Sequence, residues 1–397
     1  MNDPAAAAAF LAVERVLGGS RTLSDPTDGA VERFVVLPAT GVPRLLLPLP
    51  MPAMKAALSG FVGQRRWTSL LPPLIRTAVR VGGHVPVLGR TLSFRSGSGT
   101  PSPLRTMLGS LLGRDDYHLA MRLSFGRPNA KTVVAAISDD GEMLCFAKIG
   151  AEAMTNDLVA HEGRVLERFA TLGPPLRMPR LLHAGDWLDG ATLLVTEPLR
   201  LQPLARDARC AHRAADAFAA ASHVSTAPLK DSAFWHRLTE SIESGVGRSA
   251  HHRGLMESAA RIRAAWGERT FDFGGCHGDW SRANVGLVDG RVAAIDWERC
   301  SEVAPRGIDT AHFALLEASG RSRRLRGRAP LDIEQIADRT GHYLVSAGRS
   351  ADDARPLVLL DCLQMAARFL TAERAGLHAV DSTFEPALKT GLLRWCA

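Results

Sequence analysis

The sequence predicts an α+β protein in which a small antiparallel sheet is followed by a helical half. Between about residues 117 and 199, short alternating or β-branched runs are bounded by turn residues, the pattern of antiparallel strands. From about residue 205 the pattern changes to alanine-rich helical stretches. A length of 397 residues exceeds the usual single domain, so two lobes with a cleft between them and an added element in front are expected.

The first part, residues 1–113, is rich in Leu, Pro, Gly and Arg. From Arg33 to Arg114 it carries eleven basic residues and no acid, which exceeds the net charge of +7 of the whole chain. Interleaved with Phe61, Trp67 and Phe94, this charge fits weak contact with an anionic membrane surface through residues 33–114. The competing reading is an appended subdomain with solvated arginines. No recognisable nucleic-acid fold accompanies the charge, so nucleic acid is not an expected partner. Pro72-Pro73 interrupts any helix in "RRWTSLLPPLIRTAVRVGG", and the Gly/Ser/Pro cluster at 96–103 reads as a loop.

The second part, residues 114–200, begins with "YHLAMRLSF", "KTVVAAI" and "MLCFAKI", with a hairpin turn at Asp140-Gly141. Leu158, Val159, Val165, Leu166 and Phe169 then recur at helical spacing. Two further strands, "RLLHAGDW" and "ATLLVTEPL", flank a turn at Asp189-Gly190.

The third part, residues 201–397, holds the helices "ARCAHRAADAFAAASHVS" and "RPLVLLDCLQMAARFLTAERAG". Between them lies "CHGDWSRANVGLVDGRVAAIDWERC", residues 276–300, the densest polar cluster in the chain. A two-residue turn at Asp289-Gly290 sets Val288 opposite Arg291, and counting outward brings Asn284 opposite Ile295, beside Asp296. An amide and a carboxylate returned to one end of a ribbon suit a hard dication that shares its shell with phosphate oxygens. A separate carboxylate beside such a dication could orient and deprotonate a hydroxyl attacking the phosphate, and Asp279 sits on the loop feeding that end.

His-Gly-Asp followed after four residues by Asn284, and then Ile-Asp-Trp-Glu at 295–298, resembles the catalytic and metal loops of the aminoglycoside phosphotransferase and choline kinase superfamily. The resemblance covers roughly residues 115–380 and implies a bilobal protein-kinase-like fold. It implies ATP as cofactor, with GTP open, and Mg²⁺. Asp279 takes the role of catalytic base, Asn284 and Asp296 of metal ligands, and His277 of a brace for the loop. Lys148, in "FAKIG", takes the phosphate-binding role, held by Glu162 on the following helix in preference to Glu152 and Glu167. Glu197 and Leu199, in the segment from Thr196 that joins the lobes, would read the nucleotide base through their main chain. The phosphate-covering loop falls in "SFGRPNAKT", where Gly126 is the one glycine. Arg282 could steady the transferred phosphoryl group or pair with a nearby acid, Glu298 could assist the metal or be an exposed or salt-bridged residue, and Asp309 supports the loop.

The expected activity is transfer of the γ-phosphoryl group to a hydroxyl of a small molecule: a sugar, an aminoglycoside-like compound or an amino alcohol. The late run "RSRRLRGR", Arg321 to Arg328, reads as a solvated loop or a contact for an anionic group. The alternative class is a non-catalytic pseudokinase acting as a scaffold, against which the complete set Lys148, Asp279, Asn284 and Asp296 speaks. Six scattered cysteines without a C-x-x-C pair, no basic leader and no long apolar run point to a cytoplasmic protein, at most peripheral to a membrane.

Overall fold

The computed structural model describes residues 4–17, 19–22, 31–38, 41–62, 90–96, 101–124, 131–171, 176–244, 250–324, 331–374 and 392. The chain groups into two units. The first holds residues 1–125, 129–167 and 179–200; the second holds 126–128, 168–178 and 201–397.

The first unit is built on nine strands in the order β1-β4-β2-β3-β5-β6-β7-β10-β9. These are β1 (Gly19–Thr22), β2 (Val31–Leu37), β3 (Leu45–Pro48), β4 (Arg90–Ser96), β5 (Tyr117–Arg122), β6 (Thr132–Ser138), β7 (Met143–Gly150), β9 (Leu181–Asp186) and β10 (Thr192–Thr196). Every neighbouring pair is antiparallel. The boundary expected near residue 113 falls inside this unit. The seam is β3 against β5, with Leu45 opposite Arg122 and Leu46 opposite Met121, so the front strands continue the sheet rather than forming a body of their own.

Alternation along the strands explains how helices cover both faces. Phe34, Val36, Leu46, Leu119, Met121, Val134 and Ala136 pack with α1 (Pro4–Leu17) and α3 (Pro103–Leu112). Their neighbours Val35, Leu37, Leu45, Leu47, Ala120, Val133 and Ala135 face α2 (Met51–Val62), which contributes Met54, Leu58 and Phe61. Phe61 and Phe94, two of the aromatics counted toward membrane contact, are buried, and Trp67 lies outside the described residues. Acids flanking the basic segment pair with it: Arg105 with Glu32, and Arg114 with Asp116. No helix among the described residues is long and apolar enough to cross a membrane.

Helix α4 (Ala153–Arg168) follows β7 and buries Val159, Glu162, Val165 and Leu166. Gly163 lets it approach the sheet, because a Cβ there would sit 2.9 Å from the Ala184 methyl.

The second unit is mainly helical: α5 (Arg209–Ala221), α6 (Ala233–Glu243), α7 (Ala250–Trp266), α8 (Ile308–Arg324), α9 (Ile333–Ser346) and α10 (Ala354–Arg374). Two three-stranded sheets accompany them. One is β11 (Ser225–Pro228), β12 (Thr270–Cys276) and β15 (Ser301–Pro305); the other is β13 (Val285–Val288), β14 (Arg291–Ala294) and the parallel strand β8 (Leu176–Arg177). Helix α10 is apolar on nearly all sides, from Leu357 to Leu370, and forms the middle of the core with α8, α9 and α7 packed on it. The five cysteines among the described residues are free.

Candidate active site

In the second unit the site is the loop from β12 to β13 and the turn after β14. The hairpin has the register expected from its turn: Val288 lies opposite Arg291 and Val285 opposite Ala294. Asp289 and Gly290 both take positive φ, 50° and 75°, as a two-residue turn of matching twist requires. The Ile295 N–H then donates to the Asn284 carbonyl at 2.9 Å, so Asn284 and Asp296 leave the ribbon at the same end. Asp296 takes a left-handed backbone, φ 70°, and starts the short turn Trp297–Arg299.

The loop before β13 is held from below by one carboxylate. Asp309, in the first turn of α8, accepts the N–H groups of His277 at 2.7 Å and Gly278 at 2.9 Å. Burial pushes its carboxyl above the usual range, against these hydrogen bonds and the nearby histidines. His277 is fully buried and uses both ring nitrogens internally: Nε2 donates to the Ile295 carbonyl at 3.0 Å, and Nδ1 accepts from the Asp279 N–H at 3.2 Å. Trp280 and Trp297 pack on its ring. His277 is therefore the brace that the sequence suggested. Gly278 admits no other residue, since φ is +76° and a Cβ would lie 2.1 Å from the Arg299 carbonyl oxygen.

Asp279 is the half-open group of the cluster, its side chain 41% exposed. Asn284 spends both amide hydrogens on it, one on the main-chain carbonyl at 3.0 Å and one on Oδ2 at 2.9 Å. The amide Oδ1 of Asn284 is then the atom left to accept a cation. Asp296 lies near enough for its charge to raise the Asp279 carboxyl. Burial raises it as well, but a hydrogen bond and the charge of His312 outweigh both and leave Asp279 below the ordinary carboxylate value. The amide oxygen of Asn284 and the carboxylate of Asp296 are a donor pair that fits Mg²⁺.

His312 was not found from the sequence, and neither was its partner. It lies on α8, one turn after Asp309, with Nε2 3.3 Å from Asp279 Oδ1 and Nδ1 3.1 Å from both oxygens of Asp361 on α10. In "AHFALL" and "LVLLDCL" each is the one polar side chain among apolar neighbours and gives no signal of its own.

Arg282 takes the pairing role. Its Nε donates to Glu317 at 2.8 Å, and its other nitrogens bind the carbonyls of Ala205 at 3.0 Å and Arg206 at 2.6 Å. Glu298 is buried.

In the first unit, Lys148 stands on β7 between Val133 of β6 and Leu194 of β10. Its ammonium bonds both oxygens of Glu162 on α4, at 2.7 and 2.6 Å. Glu162 is 2% exposed and Lys148 16%, whereas Glu152 and Glu167 are exposed, which explains why position on the helix selects Glu162. After β10, the Glu197 N–H donates to the Arg180 carbonyl and its side chain accepts from the Arg180 N–H, while Leu199 is buried. Residues 125–130, including Gly126, and the side chains of Arg321 to Arg328 lie outside the described residues.

The chain is similar to solved phosphotransferases. A thermostable mutant of aminoglycoside phosphotransferase APH(4)-Ia in its apo form matches at 16% identity and TM-score 0.49, covering 74% of this chain and 99% of that one. A variant of it in ternary complex with ADP and hygromycin B matches at 14% and 0.48, covering 74% and 98%. The GDP and kanamycin complex of APH(2")-IIia matches at 14% and 0.46, covering 73% and 97%. No protein-family model and no curated protein matches the chain. The chemistry assigned to the site rests on the side chains described above.

Proposed function

We propose that the protein is an ATP- and Mg²⁺-dependent phosphotransferase acting on a hydroxyl of a small molecule, with GTP as the other admissible donor. The observation that carries this reading is Asp279: an ionised, half-exposed carboxylate locked to Asn284, with Asp296 beside it and His277 and Asp309 fixing its loop.

Asp279 orients the acceptor hydroxyl and takes its proton as the oxygen bonds to the γ-phosphorus. The bond from that phosphorus to the bridging oxygen breaks, and the products are a phosphate ester and the nucleoside diphosphate. Asn284 Oδ1 and Asp296 would hold Mg²⁺, which when bound would supply charge neutralisation at the phosphate oxygens. Lys148 offers its ammonium to the nucleotide phosphates while Glu162 fixes its position. For the base, the Glu197 N–H is committed to Arg180 and Pro198 has none, so the Leu199 N–H is the donor this segment would offer.

Acceptors suited to such a site are sugars, aminoglycoside-like compounds and amino alcohols. The test is a panel of these compounds with γ-labelled ATP and Mg²⁺, using Asp279→Ala as control. Labelled ester formed by the wild type and not by the variant supports the reading. Equal turnover in both removes Asp279 from the chemistry and the proposal with it.

A further inference from the structure

We infer that His312, held by Asp361, is a positioning residue that fixes the orientation of the Asp279 carboxylate for proton transfer. The inference rests on the phosphotransferase reading and assigns a function to two residues which that reading leaves unused.

The geometry runs in one direction through the second unit. Asp361 on α10 presents both oxygens to His312 Nδ1 at 3.1 Å, and the ring presents Nε2 to Asp279 Oδ1 at 3.3 Å. His312 and Asp361 are each 4% exposed, so water does not compete for the contact between them. Oδ2 of Asp279 is meanwhile held by Asn284. One oxygen is held by an imidazole and the other by an amide, which restricts rotation of the carboxylate.

Helix α8 grips the loop twice on one face, since Asp309 and His312 are three residues apart. Asp309 takes the main chain of His277 and Gly278, and His312 takes the side chain of Asp279.

The charged groups around the ring are Asp361 and, near it, Arg368 on α10, Asp279 on the loop, and Asp309 on its own helix. Burial would lower the pKa of His312, but the charge of Asp361 and the bonds to both carboxylates prevail and raise it to about 10. The ring is then an imidazolium at neutral pH. It cannot take the proton that Asp279 removes from the acceptor, so it orients that base and keeps it ionised rather than relaying the proton.

A buried ion pair that merely joined α8 to α10 would show the same contacts, so the test must read something stability does not move. In ¹H–¹⁵N spectra of histidine-labelled wild type, His312 should stay protonated on both ring nitrogens at pH 8. Its signal is identified by loss in His312→Gln and by displacement in Asp361→Asn. Asp279→Asn should also lower the pH at which it titrates, reporting the contact without any turnover.

In activity, His312→Gln and Asp361→Asn should each lower kcat about 10–100-fold, the range for a residue that orients a functional group. Nucleotide KM should stay within about twofold, because neither residue meets the phosphates. A neutral His312 at pH 8 in the wild type, or no response to Asp279→Asn, overturns the inference even if a variant fails to fold. So does an unchanged kcat in both folded variants. If His312 behaves as expected while the wild type phosphorylates no acceptor, the pair stands and the phosphotransferase reading fails.

Discussion

Each unit contains a cation seated on buried carboxylate, and the two cations are used differently. Lys148 bonds both oxygens of Glu162 and its side chain remains 16% exposed, so that carboxylate balances its charge while part of the side chain stays open. His312 has two carboxylates, Asp279 and Asp361, and is 4% exposed, so its charge is consumed inside the protein. The first keeps a face to solvent and the second does not. Desolvating charge is costly in either case.

The largest effect should come from the residue that the second cation serves. Asp279→Asn keeps the shape of the side chain but removes its charge, and turnover should fall about 10²–10⁴-fold, measured per folded molecule. A loss under tenfold would mean that His312 holds a bystander.

Lys148→Met separates the two designs on stability. It leaves Glu162 charged and enclosed, which should cost about 3–5 kcal/mol in denaturant unfolding, and the double variant Lys148→Met, Glu162→Leu should recover most of that without recovering nucleotide binding. Recovery of both would show that the pair exists for the fold alone.

Gly278→Ala tests the frame beneath Asp279. The left-handed backbone and the Arg299 carbonyl at 2.1 Å from the added carbon should together cost at least about 1–3 kcal/mol, with turnover lost beyond what the unfolded fraction explains.

The smallest effect is on pH dependence. His312 has a raised folded-state pKa, so its contribution to stability is complete below its ordinary value of 6.5 and is lost as pH rises through about 10. Wild type should lose stability relative to His312→Gln over that interval in urea titrations. A flat difference would place the ring outside the ion pair.

What could be read from the sequence follows the same division. The hairpin from Val285 to Ala294 was legible because a two-residue turn fixes its register, and register carried Asn284 and Asp296 to one end. Lys148 and Glu162 were legible only through the family resemblance, which names a strand lysine and a glutamate on the next helix, here fourteen residues apart. His312 and Asp361 are forty-nine residues apart and meet only where α8 packs on α10. Within each helix they look like isolated polar interruptions, and no local period marks them. The front strands were missed for a related reason: β2 is buried on both faces from Phe34 to Leu37, so it lacks the alternation that reveals a half-buried strand.

The most direct test compares the two cations in one assay: ATP dissociation constant and kcat for Lys148→Met and His312→Gln under identical Mg²⁺ and ionic strength. The account predicts that Lys148→Met weakens ATP binding at least about tenfold, the change of roughly 1.4 kcal/mol expected when a charge-assisted phosphate contact is lost, and that His312→Gln leaves binding intact while kcat falls. If His312→Gln weakens ATP as much as Lys148→Met does, or if neither variant changes either constant, the division of labour between the two cations is wrong.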